Sequence, residues 1–171
     1  MRVRQAMSAD VAAMSSLAMR SFTDAYADSS EPDDLEVHLV EHFGEAAILR
    51  EMAAPGVRYF VADSDGSLAG LVKLRNSPLP DQVPADTATE IQQLYVDTAV
   101  QRAGVGQKLV QRAVEVTREA RVGGIWLSVW TEADWATSFY RKCGFAPLGE
   151  LEFFLGRTRY VDYLMWLPLA G

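Results

Sequence analysis

The sequence predicts an α+β fold, a mixed sheet with helices on both faces. Three observations predict it. Two apolar runs, Tyr59-Phe60-Val61-Ala62 and Leu68-Ala69-Gly70-Leu71-Val72-Lys73-Leu74, flank Asp63-Ser64-Asp65-Gly66, and an Asp-Gly pair in that setting signals a β-hairpin. From about Thr89 the pattern turns to strand–helix–strand–helix, the other ingredient of a mixed sheet. The chain has 171 residues, of which 49% are hydrophobic. That is enough for one cored domain with little room for two, so 1–171 is read as a single domain.

The elements follow in order. Val3 to Ala6 is a short strand. Ser8 or Asp10 then caps a helix to about Tyr26, with Val11, Met14, Leu17 and Ala18 on one stripe. A second helix follows Pro32, with Leu35, Leu39 and Phe43 inward; Gly44 interrupts it, and Ile48, Leu49 and Met52 resume the apolar side until Pro55-Gly56. After the hairpin, 76–88 is a loop carrying Pro78, Pro80 and Pro84, and Thr89 to Asp97 is a long strand. Gly104 to Ala120 reads as a helix with Leu109, Val110, Ala113, Val114 and Thr117 inside, and Ile125 to Trp130 as a strand. Thr131-Glu132-Ala133-Asp134 has capping-box spacing for a helix to about Lys142, with Gly144 at the left-handed end position. Phe145 to Leu155 and Tyr160 to Leu167 close the sheet.

Composition narrows the function classes. Sixteen Lys+Arg against 23 Asp+Glu leave a net charge of −7, which argues against nucleic acid, whose phosphates need a basic face. One cysteine excludes an internal disulfide framework and a cysteine-based zinc cluster, and a reducing, cytoplasmic compartment is expected. No apolar run approaches the roughly 18 residues of a membrane span, and the N-terminus lacks a continuous signal-peptide core.

The most informative segment is Gln101-Arg102-Ala103-Gly104-Val105-Gly106, between a strand and a helix. Glycines there let backbone N–H groups crowd around an anion at the positive end of the helix, and a pyrophosphate suits such a cradle. A turn that merely starts a helix reads the same way from two glycines. The preceding strand, Glu90-Ile91-Gln92-Gln93-Leu94-Tyr95-Val96, cannot put Ile91 on one face with Leu94 and Val96 by strict alternation. One extra residue near Gln92-Gln93, a β-bulge, restores the pattern and leaves N–H and C=O groups free for an extended amide-bearing ligand such as pantetheine.

The Gln101–Gly106 run resembles the [QR]-x-x-G-x-[GA] signature of the GCN5-related N-acetyltransferase (GNAT) superfamily, and Phe139-Tyr140-Arg141-Lys142-Cys143-Gly144-Phe145 resembles its F-Y-x-x-x-G-F element. The resemblance covers about Arg2 to Leu167. Within the superfamily, Ile125 to Trp130, the tail Phe154-x-Gly156 with Asp162-x-x-Met165, and the early Glu31-Pro32-Asp33-Asp34-Leu35 and Glu41-His42-Phe43 segments look like the Pai-type bacterial spermidine/spermine N-acetyltransferases. The resemblance implies a mostly antiparallel sheet of about seven strands with a bulge in the central one, acetyl-CoA as cosubstrate, and no metal.

Acetyl transfer from a thioester to an amine requires a deprotonated amine, stabilisation of the carbonyl oxygen, and a proton for the departing thiolate. An alkylamine has a pKa of roughly 10, so its proton must be taken. The resemblance makes Tyr140 the candidate general acid. Glu90, at the start of the bulged strand, is the candidate base through water, with an exposed strand carboxylate as the alternative. It also implies cofactor contacts from Leu94, Tyr95 and Val96, with a backbone N–H of Leu94 or Val96 on the carbonyl oxygen. To these it adds Gln101, Arg102, Ala103, Gly104, Val105, Gly106 and Gln107, while Lys108 reads as a solvated charge. Many members carry Asn where this chain has Ala133. Trp135 replaces that contact by packing on pantetheine or adenine, or else belongs to the core or groove wall.

Cys143 reads as filler, since nothing nearby lowers its pKa. His38 and His42 share a helical face but lack a third metal ligand. The acidic run from Asp24 to Glu45 falls where the family builds its acceptor groove; it is a site for a polycation or a solvated helix face. Tyr26, Asp28, Glu31, His38 and Glu41 are the candidate groove residues. The leading expectation is an N-acetyltransferase acting on a small-molecule primary amine, a polyamine among the candidates, by direct attack in a ternary complex. A protein or peptide amine as acceptor and an acetyl-CoA sensor without turnover are alternatives. A homodimer through the Phe153–Trp166 strands is compatible with the first.

Overall fold

The computed structural model describes residues 1–64, 66–100 and 103–169. Asp65 of the hairpin turn and Gln101 and Arg102 of the glycine turn lie outside the described residues. Among the described residues, one seven-stranded sheet runs in the order β1-β2-β3-β4-β5-β7-β6. The strands are β1 Arg2–Gln5, β2 Val57–Ser64, β3 Ser67–Arg75, β4 Thr89–Val96, β5 Gly124–Trp130, β6 Ala146–Leu155 and β7 Thr158–Pro168. Every neighbouring pair is antiparallel except β4–β5, as expected for this α+β class. Five helices accompany them: α1 Val11–Tyr26, α2 Pro32–Phe43, α3 Glu45–Ala53, α4 Val105–Ala120 and α5 Asp134–Lys142. None is long and apolar enough to cross a membrane.

Helices α4 and α5 cover one face of the sheet, closing a core of Phe60, Val72, Ile91, Leu109, Ile125, Leu127 and Met165. On the other face α1 and α3 pack over Tyr59, Val61 and Leu71, and α1 and α2 pack over Leu155 and Tyr160. Val83 and Ala88 of the 76–88 loop cover the remainder, against Trp126, Leu164 and Trp166.

The predicted stripe of α1 is buried at Val11, Met14, Leu17 and Ala18. Its start differs from expectation. Ser8–Asp10 forms a 3₁₀ turn, and Asp10 is the N-cap residue of α1, but its side chain makes no capping hydrogen bond to that helix. The Asp10 carboxylate instead accepts from both Arg4 guanidinium nitrogens at 2.7 and 2.8 Å and from the Met7 N–H at 2.7 Å. Pro32 sits in the first turn of α2 with Asp33 and Asp34, where a positive helix end favours carboxylates. Leu49 is a correction: it is 47% exposed, and Ala47 and Ile48 face inward. The break at Gly44 resets the helical phase, so the stripe is not continuous across it. On α4, Val116 takes a fully inward position and Val114 is half-buried.

The expected capping box before α5 does not form. Thr131 extends the β5–β7 pairing, its N–H and its hydroxyl both donating to the Val161 carbonyl at 3.0 Å, and Ala133 precedes the helix. The bulge does form. Leu74 faces Ile91 and Lys73 faces Gln93, so Gln92 is the extra residue. Ile91, Leu94 and Val96 thereby join one core.

Candidate functional site

Among the described residues, strands β4 and β5 pair only at Thr89–Ile125 and Glu90–Trp126. Beyond those two rungs they part, and β4 from Ile91 to Val96 keeps β3 on one side and has no strand partner on the other. Free peptide groups inside a sheet can accept an extended chain. At the far end of this gap α4 begins. Gly104 is its N-cap with φ 78°, in the left-handed region that glycine reaches without cost, and no side chain caps the helix. Lys108 N–H is bonded to the Gly104 carbonyl at 3.1 Å, so the N–H groups of Val105, Gly106 and Gln107 precede the first intrahelical bond, the groups that at a helix start can hold an anion. A Cβ at Gly104 would meet nothing nearer than the Gln107 Oε1 at 4.0 Å. Among the described residues, nothing fills the space beside Gly104.

Helix α5 closes the other side of the gap. A Cβ at Gly106 would stand 3.0 Å from the Phe139 ring and 3.7 Å from Val96, so the glycine turn, the end of β4 and α5 meet at one point. Tyr140 follows, half-buried, with its ring edge-on to Phe139 at 5.1 Å and to Phe145 at 5.7 Å. Burial, and secondarily Cys143, push its phenol pKa up, so it stays protonated at neutral pH. Burial also pushes the Tyr95 phenol up, with Tyr26, Tyr140 and Tyr59 adding to the effect. The Cys143 thiol is likewise raised by burial, the opposite of an activated nucleophile. Trp135 is 73% exposed, which removes the core reading and leaves the ring on the open face of α5.

Glu90 is not an exposed strand carboxylate. Its side chain is 13% accessible, it accepts a short hydrogen bond from the Ser77 hydroxyl, and Arg75 Nε stands 3.8 Å away. Burial raises its pKa above the ordinary carboxylate value, against the opposing pull of Ser77, Arg75 and Lys73. Lys73 lies beside it in the sheet, 4% exposed, and pairs with Glu51 of α3 at 2.7 Å. Ser77, Arg75 and Lys73 were not singled out in the sequence, because their proximity to Glu90 depends on the β3–β4 register.

On the same face, past β5, an aromatic cluster forms where α1 and α2 meet the sheet. Tyr26 stacks on Phe22 at 4.4 Å and on Trp130 at 5.4 Å, and meets Tyr160 edge-on at 5.1 Å. Burial comes first in raising the Tyr26 phenol and Asp162 second. His38 stacks on Phe22 at 4.6 Å with His42 4.3 Å away, and burial pushes its pKa down to about 4. Of the groove candidates, Tyr26 and His38 are thus brought into the cluster. Asp28, Glu31 and Glu41 are exposed, and the structure does not gather them into one site. Asp34, from the same acidic run, instead accepts the Arg157 N–H at 3.2 Å. No group of three or more His, Cys, Asp or Glu among the described residues could hold a metal ion.

Known proteins resemble this chain in sequence and in fold. The model of the acetyltransferase (GNAT) family matches residues 11–145. An uncharacterised N-acetyltransferase encoded in the pepI 3′ region of Lactobacillus delbrueckii subsp. lactis is 27% identical over 164 residues, 96% of this chain and 95% of that protein. The N-alpha-acetyltransferase RimI of Mycobacterium tuberculosis is 33% identical over 129 residues, 72% of this chain and 75% of its own length. In fold, the PaiA N-acetyltransferase of Thermoplasma acidophilum, solved with coenzyme A, superposes with a TM-score of 0.75 over 98% of both chains at 17% identity.

Proposed function

Because this chain belongs to the GNAT family of acetyltransferases, it is an N-acetyltransferase, and we propose that it moves the acetyl group of acetyl-CoA to a primary amine of a small molecule, by direct attack with both substrates bound together. The observation that carries this reading is the parting of β4 from β5 next to the uncapped start of α4. Pantetheine amides suit the free edge of Leu94, Tyr95 and Val96. The pyrophosphate suits Ala103, Gly104, Val105, Gly106 and Gln107, and by resemblance Gln101 and Arg102. Trp135 is free to pack on the cofactor. Acetyl-CoA supplies the activated acyl group; the remaining chemistry falls to the chain. Glu90 takes the amine proton through water, the Leu94 or Val96 N–H donates to the carbonyl oxygen as it gains charge, and Tyr140 donates its proton to the leaving sulfur.

The whole of 1–171 is read as one catalytic domain, cytoplasmic in keeping with its single cysteine. Strand β6 ends the sheet order with Phe154 exposed, which supports pairing of two copies along that edge. Polyamines stand among the candidate acceptors through the Pai-type resemblance. A second reading, a protein N-terminal amine, draws on the 33% identity to RimI.

Free CoA release, followed with a thiol reagent, tests the reading. Acetyl-CoA is offered with spermidine, monoamines, amino acids and short peptides. Release that depends on a small amine supports the first reading, and release confined to peptides supports the second. Acetyl-CoA binding without release for any acceptor favours a sensor, and no binding overturns both. An unchanged amine-dependent rate in Tyr140→Phe would remove the acid from the mechanism.

A further inference from the structure

Strand β7 carries a carboxylate that the mechanism above leaves unused. Asp162 is 6% exposed, and its Oδ1 has no hydrogen-bond partner. Among the described residues no Lys, Arg or His forms an ion pair with it. Ser128 on β5 is close enough to favour the ionised form, but burial outweighs it. Removing a carboxylate from water without a cation is costly, and folded chains rarely tolerate it without use.

Its surroundings say what kind of partner is missing. Side chains alternate along β7, so Tyr160, Asp162 and Leu164 point to one face. Tyr160 belongs to the aromatic cluster and Leu164 to the cluster under the 76–88 loop. Asp162 therefore sits on the seam between them. Trp130 faces it across the β5–β7 ladder, and its charge reaches the Tyr26 phenol. Tyr26, Trp130 and Tyr160 stand 5.1 to 5.4 Å apart, centroid to centroid. Aromatic rings beside a buried carboxylate are the chemistry that holds an alkylammonium ion.

We propose that Asp162, with Tyr26, Trp130 and Tyr160, binds a protonated amine of the acceptor and selects acceptors that carry a second positive charge. This rests on the acetyltransferase reading above. The attacking nitrogen must be neutral, whereas Asp162 stabilises a cation, so the amine it holds is not the one acetylated. The reacting end lies in the gap between β4 and β5, and β7 is the next strand after β5. β5 and β7 are hydrogen-bonded neighbours, about 5 Å apart, and the gap opens on the far side of β5, so an alkyl spacer must cross more than one strand spacing to join the two ends.

Intrinsic tryptophan fluorescence reads the site directly, with Trp130 as reporter. The full chain is titrated with 1,4-diaminobutane and with 1-aminobutane, as wild type, Asp162→Asn and Asp162→Glu. Acetyl-CoA binding by calorimetry accompanies each protein as a check on folding. The expected result is a wild type that binds the diamine at least tenfold more tightly than the monoamine. Asp162→Asn weakens both amines, because the ammonium of 1-aminobutane also seats on this carboxylate, and Asp162→Glu recovers part of the loss. A wild type that does not distinguish the two amines overturns the proposal and needs no variant. Undiminished diamine affinity in an Asp162→Asn protein that still binds acetyl-CoA overturns it as well. Failure of the wild type to bind acetyl-CoA would instead overturn the acetyltransferase reading, and the fluorescence comparison separates the two failures.

Discussion

Gly106 of α4 and Phe139 of α5 approach so closely that a Cβ on the glycine would stand 3.0 Å from the ring. The two helices hold the glycine turn and Tyr140 together through this contact. Gly106→Ala asks Phe139 to yield by a few tenths of an ångström and should cost little. Gly106→Val overpacks the contact, with a penalty of about 1–3 kcal/mol and at least tenfold weaker acetyl-CoA binding. Phe139→Leu combined with Gly106→Val should recover part of both losses. Urea melts and calorimetry measure the cycle, and strict additivity would mean that the two residues do not share the contact.

A second glycine ties the acidic helix to the sheet. Gly156, between β6 and β7, has φ 56°, and the Asp34 carboxylate fills the space that its Cβ would take. Gly156→Ala therefore meets both left-handed strain and a collision, and should lose roughly 1–3 kcal/mol of stability. Asp34→Ala in the same chain removes the collision but leaves the strain, so it restores only part. Equal losses in Gly156→Ala and the double variant would show that the collision is absorbed elsewhere.

As the proposed base, Glu90 should set the acid limb of the rate profile. A base works ionised, so kcat/KM rises with pH through its pKa, which burial lifts above the ordinary carboxylate value. Ser77 donates to the carboxylate and favours the charged form. Ser77→Ala should move the acid limb to higher pH. Glu90→Gln should abolish the limb and lower kcat/KM by about 10²-fold or more. A limb that stays in place in both variants would assign it to another group.

His38 makes stability depend on pH. Its folded pKa is about 4 against an ordinary 6.5, because burial first, and His42 second, disfavour the charged ring. Between those values the unfolded chain binds a proton that the native chain does not. The native state is therefore unpenalised above about pH 6.5 and loses stability as pH falls toward 4. His38→Gln should flatten the difference in melting temperature across that window. Parallel wild-type and variant profiles would mean that the ring is not desolvated.

Much of this architecture was legible locally. Alternation in β2 and β3, the misfit of Ile91 with Leu94 and Val96, and the glycines before α4 each report on a few consecutive residues, and the structure carries all three. Where local reading failed, a distant partner had intervened. Thr131 has the spacing of a cap, but pairing with Val161 takes both its donors. Asp10 stands at the head of α1, but Arg4 engages its carboxylate. The acidic run left a polycation groove and a solvated helix face both open; of its carboxylates Asp34 makes the contact described above, and it is spent on the β6–β7 turn.

By itself, then, the sequence determined the fold class, the bulge and the position of the glycine turn that starts α4, because periodicity and glycine placement act within a turn or a strand. The tertiary structure decided what surrounds each carboxylate. Ser77 reaches Glu90 through the β3–β4 connection, and Asp34 meets Arg157 across 123 residues. Among the described residues Asp162 has no cation partner, because the strand order puts it on a seam between two apolar clusters. Desolvation is a property of packed neighbours, and neighbours are chosen by register and strand order, which no short stretch of chain contains.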